Sequence, residues 1–151
     1  MFKKILYPTD FSDVSARVMD YIRELKGSGI QTVILLHVID QRDFKCFEQG
    51  VQWVGKLPAE FENEYRKYIT DESNRQMGAI AKELTRIGLE VRSKLVIGVP
   101  FVEILKAEEE ESVSAIILGS HGKSNIREMM LGSVSEKVIR KSKTPVIVIK
   151  R

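Results

Sequence analysis

Apolar residues fall into five short runs separated by helical patterns. The runs are Ile5-Leu6-Tyr7, Val33 to Ile39, Val91 to Ile97, Ala115 to Leu118 and Val146 to Ile149. Most are rich in Val, Ile and Leu. Three are nearly continuous, as expected of strands buried on both faces of a parallel sheet. The third alternates, with Val91, Ser93 and Leu95 against Arg92, Lys94 and Val96, which places it nearer a sheet edge.

Between the runs, Val14, Val18, Ile22 and Leu25 recur at helical spacing, with Ser12 as N-cap and Gly27 and Gly29 as stop signals. Phe61, Tyr65, Tyr68 and Ile69, then Ile80, Leu84 and Ile87, predict a long helical region ending at Gly88, with a break near Thr70-Asp71. Val102 and Leu105 mark a short helix after Pro100. Val134, Val138 and Ile139 mark a last helix that starts near Ser133 and stops before Pro145. The stretch 41–57 has no clear period and reads as an insertion loop that packs a few aromatics, Phe47 and Trp53 among them. Strand and helix in alternation predict an α/β sheet with helices on both faces.

Composition narrows the function classes. The 151 residues fit one domain, 1–151, and the 43% hydrophobic and 30% charged content is that of an ordinary globule. A single Cys permits no intrachain disulfide or multi-cysteine metal site, and the two histidines, His37 and His121, lie far apart. No run approaches the ~20 apolar residues of a membrane span. The start Met1-Phe2-Lys3-Lys4 lacks a signal peptide's apolar segment, so the expected location is cytoplasmic. The net charge of +3 is unevenly placed: residues 119–151 hold eight basic and two acidic groups. No RNA- or DNA-binding motif accompanies them, and nucleic acid is not an expected partner. Glu108 to Glu111 reads as a solvated helix end.

Open α/β sheets bind ligands beyond the carboxyl ends of their strands, where the strand order reverses. The outlier among the strand-end loops is Gly119-Ser120-His121-Gly122-Lys123-Ser124-Asn125, followed by Gly132-Ser133 where a helix begins. Glycines admit backbone N–H groups to a phosphate, and a helix start adds unpaired donors and a positive dipole end. Ser133 and Ser135 add hydroxyls, and Lys123 and Arg127 add charge. This is a cradle for a polyphosphate. Gly122-Lys123-Ser124 is not the end of a P-loop, because Ile117 stands where the first glycine is required. No G-x-G-x-x-G or G-x-S-x-G occurs, and adjacent Ser120 and His121 are expected to diverge, which argues against a Ser-His hydrolase. His37 reads as a satisfied strand-end histidine. His121 either touches phosphate or is simply a loop residue.

The spacing Gly119-x2-Gly122-x9-Gly132-Ser133 resembles the nucleotide-binding signature of the universal stress protein family. So do the opening Lys4-Ile5-Leu6-Tyr7-Pro8-Thr9-Asp10-Phe11-Ser12, the run Leu35-Leu36-His37-Val38, the exit Gly98-Val99-Pro100 and the ending Ser142 to Ile149. Only about 41–70, a variable insert, carries no recognisable motif. The resemblance implies a Rossmann-like, adenine nucleotide α-hydrolase-like fold with five parallel strands in the order 3-2-1-4-5. It implies ATP at the junction of strands 1 and 4, with Mg²⁺ or Mn²⁺ on the phosphates. Pro8, Thr9 and Asp10 would form one wall, with Asp10 near the metal. Val38 would read the adenine edge by its backbone, and Leu118 and Gly119 would line adenine and ribose. Gly122, Gly132, Ser133, Val134 and Ser135 would hold the phosphates. The resemblance also implies a homodimer through Val146–Ile149 and a regulatory, switch-like role toward a downstream protein partner. A slow ATPase and a nucleotide-free dimeric scaffold are the alternatives.

Overall fold

A computed structural model describes residues 2–52, 59–122 and 130–150. In chain order the elements are β1 (Lys4–Pro8), α1 (Asp13–Leu25), β2 (Thr32–Asp40), α2 (Gln41–Gln52), α3 (Ala59–Arg86), β3 (Glu90–Gly98), α4 (Pro100–Glu111), β4 (Ala115–Gly119), α5 (Ser133–Lys141) and β5 (Val146–Ile149). The strands form one all-parallel sheet in the order β3-β2-β1-β4-β5.

The continuous apolar runs follow from a sheet covered twice. Side chains alternate between the faces of a strand, so a strand buried on both sides must be apolar throughout. Ile5, Tyr7, Val33, Leu35, Ala115 and Ile117 pack with Val18 and Ile22 of α1 and Met77 and Leu84 of α3. Leu6, Ile34, Leu36, Ile116 and Leu118 pack on the opposite face with Ile104 of α4 and Val138 of α5. The alternating run is β3, which pairs only with β2 and exposes Arg92 and Ser93.

Local chemistry sets most helix ends. Ser12 Oγ accepts from Ser15 N at 3.3 Å to cap α1. Gly29, at φ 101°, closes the turn that follows α1, with its N–H donating to Lys26 O. Pro100 opens α4, where a missing N–H costs nothing.

Three expectations need correction. Residues 41–52 are the helix α2, not a loop. Its Asp40 start is fixed by Arg42 N donating to Asp40 Oδ1 at 2.9 Å, and buried Phe44 meets the Tyr65 ring edge-on at 6.1 Å. The long helix does not break at Thr70-Asp71. Thr70 Oγ1 donates back to Arg66 O at 2.8 Å instead of capping a new helix, and Arg66–Glu62 and Arg75–Glu72 pairs support the turns on either side. Nor is Glu108 part of a solvated end. It is 8% exposed, and its Oε1 accepts from Ser142 Oγ, Lys143 N and Thr144 N at 2.7–2.9 Å. Residues 53–58, including Trp53, lie outside the described residues.

Candidate functional site

The order β3-β2-β1-β4-β5 puts the switch point between β1 and β4. The loops leaving those two strands meet there, so Pro8-Thr9-Asp10 comes to face Gly119-Ser120-His121-Gly122 and the start of α5.

The β1 loop is tightly held. Thr9 N donates to Leu36 O at 2.8 Å, which continues the β1–β2 pairing one step past the strand. Thr9 Oγ1 accepts from Phe11 N at 3.1 Å and from Ser15 Oγ at 2.7 Å. Asp10 Oδ1 accepts from Ser12 N at 3.0 Å. Beneath them Tyr7 is fully buried, its hydroxyl donating to Ser15 O at 2.6 Å, and burial pushes its phenol pKa up. Phe11 has φ 63°, a left-handed conformation that costs a bulky residue roughly 1–3 kcal/mol. Its ring lies on His37, centroids 4.2 Å apart, and His37 Nδ1 donates to Thr9 O at 2.7 Å. His37 is therefore satisfied, as its position in an apolar run implies, but it lies within β2, three residues before the strand's end.

The β4 side is knitted to α5. Ser120 N donates to Ile149 O, Gly132 N to Ser120 O and Ser135 Oγ to Gly119 O, each at 2.8 Å. Helix α5 therefore starts directly against the strand exit. Gly132 is its N-cap and supplies no side chain, so among the described residues no side chain caps the first-turn N–H groups. Those donors and the positive dipole end point out at the junction. The hydroxyl proton of Ser135 is committed to Gly119 O, so Ser135 offers a ligand its backbone N–H. Ser133 is exposed.

The glycines prove to be sites of close approach rather than of unusual φ. A Cβ at Gly119 would lie 2.8 Å from Val14 Cγ1, so this glycine lets α1 pack on β4. A Cβ at Gly122 would lie 2.7 Å from Asp10 Oδ2, which locates the Asp10 carboxylate directly against the β4 loop. A Cβ at Gly132 would press on the Ser120 carbonyl at 3.3 Å.

One expectation fails here. Ser120 and His121 do not diverge: Ser120 Oγ and His121 Nδ1 are 2.8 Å apart. Ser120 is nonetheless 2% exposed, which withholds its hydroxyl from any substrate. His121 Nε2 is buried and has no hydrogen-bond partner among the described residues. On the apolar wall, Val38 near the end of β2, Leu118 and Val134 belong to one cluster. Lys123 and Arg127 lie outside the described residues. Sequence reasoning missed Phe11 and Ser15, for which Asp10-Phe11-Ser12 gives no warning, and it missed that Gly119 serves α1.

The donor set fits a polyphosphate: a helix start without a capping side chain among the described residues, and glycine backbone. Among the described residues no group of three His, Cys, Asp or Glu side chains converges. Asp10 is the carboxylate at the junction, which suits a cation carried mainly by phosphate and water rather than caged by protein. Among the described residues no helix is long and apolar enough to cross a membrane.

Comparison with known proteins agrees with this architecture. The family model described as "Universal stress protein family" matches residues 1–150. Universal stress protein MJ0577 of Methanocaldococcus jannaschii is 46% identical over 156 residues, covering 100% of this chain and 96% of its own. Universal stress protein YxiE of Bacillus subtilis is 31% identical, covering 99% and 100%. The solved structure of MJ0577 superposes with a TM-score of 0.87 at 45% identity, covering 100% of this chain and 97% of that one. Two other universal stress proteins share the fold at 21% identity: one in complex with cAMP (TM-score 0.62, covering 99% and 97%) and one from Archaeoglobus fulgidus in complex with dAMP (TM-score 0.56, covering 99% and 98%). A five-stranded parallel sheet with a glycine-lined helix start at its switch point, matched along almost its whole length, makes this chain a member of the universal stress protein family.

Proposed function

We propose that the protein is a cytoplasmic ATP-binding regulator that works as a homodimer. ATP, with Mg²⁺ or Mn²⁺, occupies the junction of β1 and β4 and biases the protein's shape or its choice of a downstream protein partner. The observation that carries this reading is the uncapped start of α5, folded back on Gly119–His121 with the Asp10 carboxylate opposite. An anion finds there the N–H groups of Ser133, Val134 and Ser135 and the backbone of Gly122, while Gly132, whose own N–H goes to Ser120 O, keeps the approach free of a side chain. Lys123 adds positive charge by sequence position. Pro8 and Thr9 form the opposing wall, with Asp10 turned toward the phosphates and their metal. Val38, Leu118 and Gly119 line the base and ribose side. The adenine nucleotides held by two distant relatives belong to the same chemical class.

Binding is favoured over turnover. Hydrolysis needs a base or a positioned water beside the γ-phosphate. Of the two candidates, Asp10 is turned toward the phosphates and their metal, and His121 has Nδ1 against Ser120 Oγ and Nε2 buried. Thermal denaturation tests the reading, because a ligand bound only to the native state raises stability. At a hundredfold excess over Kd, Mg·ATP is expected to raise Tm by about 5–10 °C. An unchanged Tm at millimolar Mg·ATP would instead indicate the nucleotide-free scaffold.

A further inference from the structure

We infer that His37 is a positioning residue for the nucleotide site, acting through the Thr9 carbonyl to fix the direction of Asp10. This rests on the ATP-binding reading above and adds a residue to it that lies on β2, outside the β1 and β4 loops.

Thr9 is buried, so each of its polar groups needs a partner inside the protein. Its N–H is taken by Leu36 O and its hydroxyl by Phe11 N and Ser15 Oγ. Its carbonyl accepts from His37 Nδ1 at 2.7 Å. That carbonyl belongs to the Thr9–Asp10 peptide, whose plane sets where the Asp10 side chain leaves the chain. His37 is 7% exposed and sits within β2, paired with Leu95 and followed by three more paired residues, so it is a rigid anchor.

The next residue shows that the turn around Asp10 is held by its surroundings. Phe11 sits at φ 63°, which a bulky side chain adopts only when its surroundings demand it. The Phe11 ring lies 4.2 Å from the His37 ring, so one histidine holds both ends of the turn: the peptide before Asp10 by a hydrogen bond and the residue after it by ring contact. Without the Nδ1 donor, the Thr9 carbonyl would be buried unpaired. Turning the Thr9–Asp10 peptide would relieve that. It would also carry the Asp10 carboxylate away from Gly122, where Oδ2 now lies within 2.7 Å of a would-be Cβ.

The test is calorimetric titration of Mg·ATP into wild type, His37→Leu, His37→Asn, Asp10→Asn and the double variant Asp10→Asn/His37→Leu, with Tm measured for each. His37→Leu is expected to weaken Mg·ATP by roughly tenfold, the loss of one hydrogen bond to a buried carbonyl. His37→Asn, whose amide nitrogen takes the place of Nδ1, is expected to restore most of it. In the Asp10→Asn background, His37→Leu is expected to cause little further loss, because the two act through one group. Equal affinity in wild type and His37→Leu overturns the inference, as does a full additional loss in the double variant. Failure of wild type itself to bind would overturn the ATP reading instead.

Discussion

Single contacts at the switch point separate the two tasks its glycines perform. Gly119 faces Val14 of α1, and Gly122 faces the Asp10 carboxylate. A methyl group at the first meets a packed, branched side chain, whereas at the second it meets a side chain able to swing away. Gly119→Ala is therefore expected to lower stability by about 1–3 kcal/mol, read from the urea midpoint, and to recover partly when Val14 is also Ala. Gly122→Ala is expected to leave the urea midpoint nearly unchanged and to weaken Mg·ATP by displacing Asp10. The glycine spacing was legible in the sequence, but this division was not, because the spacing names no partner for either residue. The Ser120–His121 contact was hidden for a similar reason. Whether neighbouring side chains meet depends on the loop's local turn, which is set by Ser120 N on Ile149 O and Gly132 N on Ser120 O, bonds between distant parts of the chain.

Elements were legible where a period was strong, and their ends were legible where the local chemistry was. Ser12, Gly29, Pro100 and Ser133 all mark the boundaries they announce. Helix α2 was missed because its apolar residues are few and irregular, and the burial of Phe44 against Tyr65 of α3 is a tertiary contact. The acid run hid Glu108 in the same way. Nothing in its neighbours reveals that the end of α4 abuts the turn between α5 and β5. There burial alone would raise the Glu108 pKa, but the Thr144, Ser142 and Lys143 donors outweigh it and hold the carboxyl below its ordinary value of 4.5. A carboxyl lowered in the folded state adds stability that is fully present above the unfolded value and is lost as pH falls through the folded one. Wild type should therefore lose Tm below about pH 4.5 more steeply than Glu108→Ala. Near neutral pH Glu108→Ala should be less stable by about 1.5–3 kcal/mol, the scale of hydrogen bonds to a charged group. Parallel Tm profiles from pH 3 to pH 7 would show that Glu108 carries no such role.

For the whole molecule, the strand order leaves two edges, and they differ. On β3, Arg92 pairs with Glu90 and Lys94 with Glu110 and Glu111, a charged rim of the kind that discourages strand addition. On β5, the residues are Val146, Ile147, Val148 and Ile149, the first three only half-buried. The apolar edge is the one expected to pair with a second copy. Sedimentation should give a dimer for wild type and a monomer for Val148→Lys with unchanged circular dichroism, whereas a wild-type monomer would remove the dimer from the account. The charge distribution also gains meaning at this scale. Of the basic groups in residues 119–151, Arg140 pairs with Glu136 and Lys143 with Glu109, while Lys137 and Lys141 lie over the Phe101 ring, away from the α5 start. Much of the positive excess thus serves the α4–α5 surface rather than a ligand. The central claim remains the nucleotide at the β1–β4 junction. Titrating Mg·ATP into nucleotide-stripped protein by calorimetry tests it most directly. The account predicts saturable binding of ATP to wild type that disappears in a folded Gly132→Val variant, and absence of binding to wild type, or equal binding to both, would contradict it.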